Sequence, residues 1–288
     1  MTSAVGGTTG ADARLPDESS ILSLAARENF SVASVLVGRA KRAHLTAIYG
    51  YARLVDQIGD EVEGDRLVLL DEFEQDVQRI FDGGAPQHAL LQRLATTVRA
   101  CDLPREPFIR LIEANRRDQR TSEYATLGAL VEYCDLSANP VGELVLHVFE
   151  AATPELVALS DRVCTALQLV EHWQDVGEDF RRGRIYLPAE DRKRYGVQRA
   201  DLGGESTTPP LRRLLAFEVE RARRLLDEGA PLVGQLHGRA RIAVAGYVGG
   251  GRAALDAIAA SNYDVLPAAP RATRRRRARH TLTALRGS

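Results

Sequence analysis

Apolar residues in this chain recur three and four positions apart almost from end to end, and nowhere do they alternate long enough to line a strand. Leu45, Ile48, Ala52, Val55 and Gly59 form one such stripe, and Leu69, Phe73, Val77 and Ile80 form another. That period belongs to helices with one buried face. Breakers interrupt it where helices must end: Asp82 to Pro86, Cys101 to Pro104, Asn139-Pro140, Thr153-Pro154, Leu187-Pro188 and Pro209-Pro210. Thr153 ahead of Pro154 and Glu155 reads as an N-cap with proline at the first helical position. Only short pieces such as 184–187 read as extended. The expected fold is all-α: a single-domain bundle of seven to ten helices joined by short loops.

Composition removes several alternatives. With 288 residues, 44% of them hydrophobic, and a net charge of −1, the chain needs no metal or disulfide staple and is not disordered as a whole. Cys101, Cys134 and Cys164 are odd in number and widely spaced, without a C-x-x-C. They exclude a disulfide framework or zinc ribbon and fit a reducing cytoplasm. Residues 1–17 are small and polar; they read as disordered and lack the pattern of a signal peptide. The folded body is expected over 18–266. Its most apolar stretch, Ala240 to Ser261, carries Arg241, Arg252 and Asp256 and does not read as a membrane span. Beyond Asp264 stand seven arginines and no acid, which leaves the preceding residues at −8. The 267–288 tail is expected to be disordered, and the surface it suits is an anionic membrane, touched peripherally. No aromatic residue is interleaved with those arginines and the body is acidic, so nucleic acid is not an expected partner.

Two segments can carry chemistry. In the first, Asp56 and Asp60 are four apart, so both carboxylates leave one face of a helix, with Arg53 and Tyr49 one and two turns earlier. In the second, Asp175 and Asp179 repeat that spacing, and Gln168 and Glu171 extend the polar stripe backwards through a helix otherwise made of Leu167, Leu169, Val170, Trp173 and Val176. One such acid pair is ordinarily a solvated helix face. Two pairs, each with apolar flanks and with Arg or Tyr at one-turn spacing, point to hard oxygen ligands for Mg²⁺, which binds a few carboxylates and completes its shell with water and phosphate oxygens. The expectation is two acidic helices facing each other across a bundle and holding magnesium against a diphosphate. His172 reads as a packed histidine off that acidic line. Glu143 and His147 lack the i, i+3 spacing of di-iron bundles. The glycines of 246–251 read as close helix packing, and no G-x-G-x-x-G, G-x-S-x-G or Walker pattern is present.

These motifs resemble those of the squalene/phytoene synthase family. Asp56-Gln-Ile-Gly-Asp60-Glu61 is similar to its first aspartate-rich motif, and Asp175-Val-Gly-Glu-Asp179 with Arg184-Ile-Tyr-Leu-Pro188 to its second. The similarity runs from about Glu28 to Leu266. Glu28 to Ser34 and Tyr133 to Gly142, the latter containing Ser137-Ala-Asn-Pro140, resemble the hydroxysqualene synthase branch of the hopanoid pathway, with Ser31 where that branch has proline.

The resemblance implies an isoprenoid synthase bundle around a central apolar cavity. It implies Mg²⁺ ligands at Asp56, Asp60, Glu171, Asp175 and Asp179, and substrate contacts from Asn29, Arg53, Gln168, Glu171, Gln174 and Arg184. Tyr49, Tyr133 and Tyr186 would stabilise a carbocation or place a water, acting with the four aspartates. Two positions depart from many relatives: Glu171 stands where they have Asn, and Gln174 where they have Arg. Losing that arginine suits an enzyme that ionises one diphosphate, so the implied reaction is presqualene diphosphate plus water giving hydroxysqualene. Three other readings remain open: head-to-head condensation to presqualene diphosphate or phytoene, a non-catalytic binding factor, and a terpene cyclase, although its usual Asp-Asp-x-x-Asp run is missing.

Overall fold

In the computed structural model, which describes residues 37–287, the helical period becomes thirteen α-helices and no strand among the described residues. The first six are α1 (Arg39–Asp60), α2 (Arg66–Phe81), α3 (Ala89–Cys101), α4 (Glu106–Asp118), α5 (Leu127–Ser137) and α6 (Asn139–Val148). Then come α7 (Pro154–Gln174), α8 (Val176–Arg181), α9 (Ala189–Tyr195), a 3₁₀ turn (Arg199–Gly203), α10 (Pro209–Gly229), α11 (Leu232–Gln235), α12 (Gly238–Ala260) and α13 (Arg274–Arg286).

The breakers act as their chemistry dictates. Thr153 accepts from the Leu156 amide at 3.3 Å and caps α7. Pro140 and Pro209 lie in the first turns of α6 and α10, where a missing N–H costs nothing. Asp65, unremarked in the sequence, caps α2 through the Leu67 and Val68 amides.

Two apolar cores result. The stripe of α1 buries Leu45, Ile48, Leu54, Val55 and Ile58 among Phe73, Leu91, Leu94, Phe108 and Ile112 of α2, α3 and α4. At its centre Tyr51 donates to the Phe108 carbonyl at 2.8 Å, so even the buried hydroxyl is satisfied. The second core gathers Leu169 and Trp173 of α7, Leu214 and Leu226 of α10, and Val248 and Leu255 of α12. Helix α6 joins them, giving Leu144, Val145 and Val148 to the first and Leu146 to the second.

Two expectations need correction. The chain makes more helices than expected, partly because the second acidic segment breaks at Asp175, and partly because the tail folds. Residues 274–286 are not a disordered end but α13, capped by Thr273 and lying against α12, with Ala284 buried. The close approach is possible because Gly249 has no side chain: a Cβ there would come within 2.5 Å of the Thr281 backbone. His280, 2.8 Å from Asp256, adds a polar fastening. The expectation for 1–17 lies outside the described residues.

Candidate active site

The C-terminal half of α1 carries Tyr49, Arg53, Asp56 and Asp60 at three- and four-residue spacing, which sets them along one face. Packing fixes the first aspartate. Gly59 brings α4 so close that a Cβ would lie 2.1 Å from the Asn115 side chain. Buried Asn115 consequently reaches Asp56, donating at 3.2 Å. Gln119 donates to the Gly59 carbonyl at 2.9 Å and ties the end of α4 to the end of α1. Arg53 lies 3.4 Å from Glu61, while its Nε is buried without a hydrogen-bond partner.

The second motif is a helix with a kink. Helix α7 ends at Gln174, Asp175 leaves helical geometry, and α8 restarts at Val176. The ladder survives the break, since the Asp175 amide bonds the Glu171 carbonyl and the Asp179 amide bonds the Asp175 carbonyl, each at 2.9 Å. The i, i+4 relation of the two aspartates is therefore kept, while Glu171 stands exposed on the preceding turn. Burial, then the nearby Asp179 and Glu178, push the Asp175 carboxyl up to about 6 against the pull of Arg271 and Arg182.

After α8 the chain runs extended through Arg184–Pro188. Ile185 donates to the Ser122 carbonyl at 2.8 Å and forms a parallel bridge with Glu123, the short extended piece that the sequence suggested. This turn aims Arg184 back across the bundle, where it meets Asp60 at 2.5 Å. One guanidinium thus links the two acidic motifs. Burial works against its charge, but the Asp60 hydrogen bond, with Tyr186 and Asp118 nearby, outweighs burial and holds its pKa above the usual arginine range.

Beneath it lies an aromatic wall. Tyr186 stacks on His172 with ring centroids 3.6 Å apart, and on Tyr124 and Tyr133 at 5.8 Å each. His172 is held by Gln168 at 3.2 Å and has Asp179 at 3.8 Å. Burial draws the imidazole pKa down despite Asp179, so the ring is neutral near neutral pH. A narrow pocket of about 10 Å³ opens between His172, Val176, Asp179, Arg184, Tyr186 and Leu202. That cleft has space for about one water.

Tyr133 donates to Asp118 at 2.7 Å, and the other oxygen of that carboxyl is buried without a partner. Burial raises the Asp118 pKa to about 7; Tyr133 and Arg184 pull it down while Asp60 and Asp56 push it up. Neither Asp118 nor Asn115 was singled out in the sequence, because Asn115-Arg-Arg-Asp118-Gln-Arg120 reads as a solvated charged turn.

Of the expected site residues, then, Asp56, Asp60, Arg184, Gln168, Asp179, Tyr133 and Tyr186 join one continuous network through Asn115, Asp118 and His172. Tyr49 is half-buried on α1. Gln174 faces elsewhere: its amide donates to the Pro270 carbonyl and fastens the segment leading to α13. Asn29 lies outside the described residues. No three of the carboxylates, histidines and cysteines converge on one point among the described residues. Two separate acidic walls do fit Mg²⁺, which takes one or two carboxylates and completes its shell with substrate phosphates and water. The Asp118 and Asp175 carboxyls are both raised, first by burial and further by neighbouring carboxylates.

The squalene/phytoene synthase family model matches residues 24–282, nearly the whole described bundle. This chain belongs to the squalene/phytoene synthase family. Among its relatives it is 32% identical over 214 residues to the hydroxysqualene synthase of Zymomonas mobilis, covering 73% of this chain and 71% of that protein. It is 31% identical over 246 residues to the chloroplastic phytoene synthase of Daucus carota, covering 82% of this chain and 61% of that one. The crystal structure of squalene synthase HpnC from Alicyclobacillus acidocaldarius superposes with a TM-score of 0.78 at 41% identity, over 85% of this chain and 95% of that chain. The all-α isoprenoid synthase fold and a site for prenyl diphosphates follow.

Proposed function

We propose that this family member converts presqualene diphosphate and water into hydroxysqualene and diphosphate, with Mg²⁺ as cofactor. The observation that carries the reading is the junction of Arg184, Asp60 and the Tyr133–Tyr186–His172 wall: a cation paired with the first acidic motif and lining one cleft with Asp179, Tyr186 and His172. The similarity to HpnC and to a hydroxysqualene synthase supports the choice of reaction.

Arg184 and Arg53 bind the diphosphate, and Asp56, Asp60, Asp175, Asp179 and Glu171 are the residues that would hold magnesium. Bound there, the metal would supply Lewis-acid neutralisation of the leaving diphosphate as the carbon–oxygen bond breaks. The ring faces of Tyr133 and Tyr186 stabilise the cyclopropylcarbinyl cation and its rearranged form. Asn115 orients Asp56, and Gln168 orients the His172 ring against Tyr186. Water then forms the new carbon–oxygen bond and loses a proton, which Asp118 accepts; with a pKa of about 7 this carboxyl is partly ionised at neutral pH. No reductant enters, so the product keeps its hydroxyl.

The test is incubation of the full chain with magnesium and either presqualene diphosphate or farnesyl diphosphate, with products read by mass spectrometry. Hydroxysqualene from presqualene diphosphate alone is expected. Presqualene diphosphate from farnesyl diphosphate, or phytoene in a parallel incubation with geranylgeranyl diphosphate, would favour the condensing reaction, to which the carrot relative lends weight. Asp175→Asn should abolish turnover; a binding factor would be indifferent to it.

A further inference from the structure

We propose that the outer face of α13 is a docking surface for an anionic lipid bilayer. One side of the helix is committed to the body. Thr281 sits against Gly249, Ala284 is buried, His280 contacts Asp256 at 2.8 Å, and Arg241 donates to the Leu285 carbonyl at 2.8 Å. That fastening fixes which residues face outward. Arg275, Arg279, Leu282 and Arg286 are three or four residues apart, fall on one face, and are all exposed. Leu282 is 53% exposed, and among the described residues only Val68 is a large apolar side chain comparably open to solvent.

A single leucine framed by three arginines gives this face one apolar contact within a cationic patch. The apolar side chain enters the headgroup boundary, and the flexible guanidinium stems reach lipid phosphates. Charge gives the docking its direction. Seven arginines and no acid follow Asp264, while the rest of the chain carries −8, so an anionic surface attracts this end and repels the remainder. Asp256, 4.0 Å from Arg279, offsets one of these cations only partly. The helix begins four residues after Pro270, whose carbonyl accepts from Gln174 at the end of α7. The inference does not depend on which reaction the site performs.

The experiment is sedimentation of the full chain with vesicles of phosphatidylcholine alone or mixed with phosphatidylglycerol, at low and high salt. Binding is expected only to the mixed vesicles. The combined variant Arg275→Gln, Arg279→Gln, Arg286→Gln should weaken partitioning by about a hundredfold. Leu282→Ser should weaken it at a salt concentration where the arginines are largely screened. Both variants alter exposed side chains, and their thermal unfolding should match that of the parent. Equal binding to neutral vesicles, absence of binding to mixed ones, or binding unchanged by the arginine variant would each overturn the proposal. Binding of single-stranded RNA without vesicle binding would overturn it too and assign the face to nucleic acid.

Discussion

Asp118 is the residue on which the proposed chemistry turns after the carbon–oxygen bond has broken. It takes no part in either aspartate-rich motif, yet it lies between Tyr133 and the first motif with one oxygen buried and unpartnered. Asp118→Asn keeps the shape and removes the proton acceptor, and should lower the rate of hydroxysqualene formation by about 100-fold or more. In the parent, activity should rise with pH through about 7, as the carboxyl ionises. In the variant that rise should vanish, as a pH–rate profile would show. A second carboxyl bears on stability alone. Glu218 is fully buried, and it shares the Arg221 guanidinium with Asp191. Burial lifts its pKa from 4.5 to about 8, so the folded protein holds a proton that the unfolded chain releases. Stability from this group is therefore full at low pH and lost between about 4.5 and 8 as pH rises. Glu218→Gln should flatten the fall in melting temperature across that window; an unchanged slope would show that another group sets it. The four aspartates were legible because helical spacing leaves a pattern in sequence. His172 was read as a packed histidine, and it is buried against Tyr186; Asn115 and Asp118 were not legible, because their roles come from which helix faces which, and a short polar run carries no record of that.

Among the elements, the pair α6 and α7 shows what the Ser137-Ala-Asn-Pro140 segment does physically. Buried Asn139 donates to Asp135 at 2.7 Å and accepts from Thr165 at 3.0 Å, so the segment pins the α5–α6 corner onto α7. Gly142 completes the contact, since a Cβ there would lie 2.4 Å from Ser160 Oγ and 2.5 Å from Cys164 Sγ. Gly142→Ala should destabilise the protein by about 1–3 kcal/mol through overpacking, despite alanine's better helix propensity. A calorimetric melt checks this, and an unchanged or raised melting temperature would mean the helices can separate freely. Helix positions followed from breakers and periodicity. The kink at Asp175 did not, because the residues on either side continue a helical pattern and the backbone ladder bridges the break. Helix α13 was equally hidden: its arginines read as a solvated tail, whereas its folding depends on Gly249, Asp256 and the buried Ala284, all tertiary partners.

For the whole molecule, the all-α class was written in the period of the apolar residues, and the family in two motifs more than a hundred residues apart. That the two acidic helices face each other was expected from their paired spacing; the contact that joins them was not. It depends on the extended stretch from Arg184 to Pro188, which sends one guanidinium to Asp60 and lays Tyr186 on the aromatic wall. No helix among the described residues is long and apolar enough to cross a membrane. The measurement that tests the central claim most directly is conversion of presqualene diphosphate by the full chain with magnesium in water enriched in heavy oxygen. The account predicts hydroxysqualene whose hydroxyl carries the heavy isotope, with no product when the metal is chelated. A hydrocarbon without oxygen, or an alcohol that retains the light oxygen of the substrate, would contradict it.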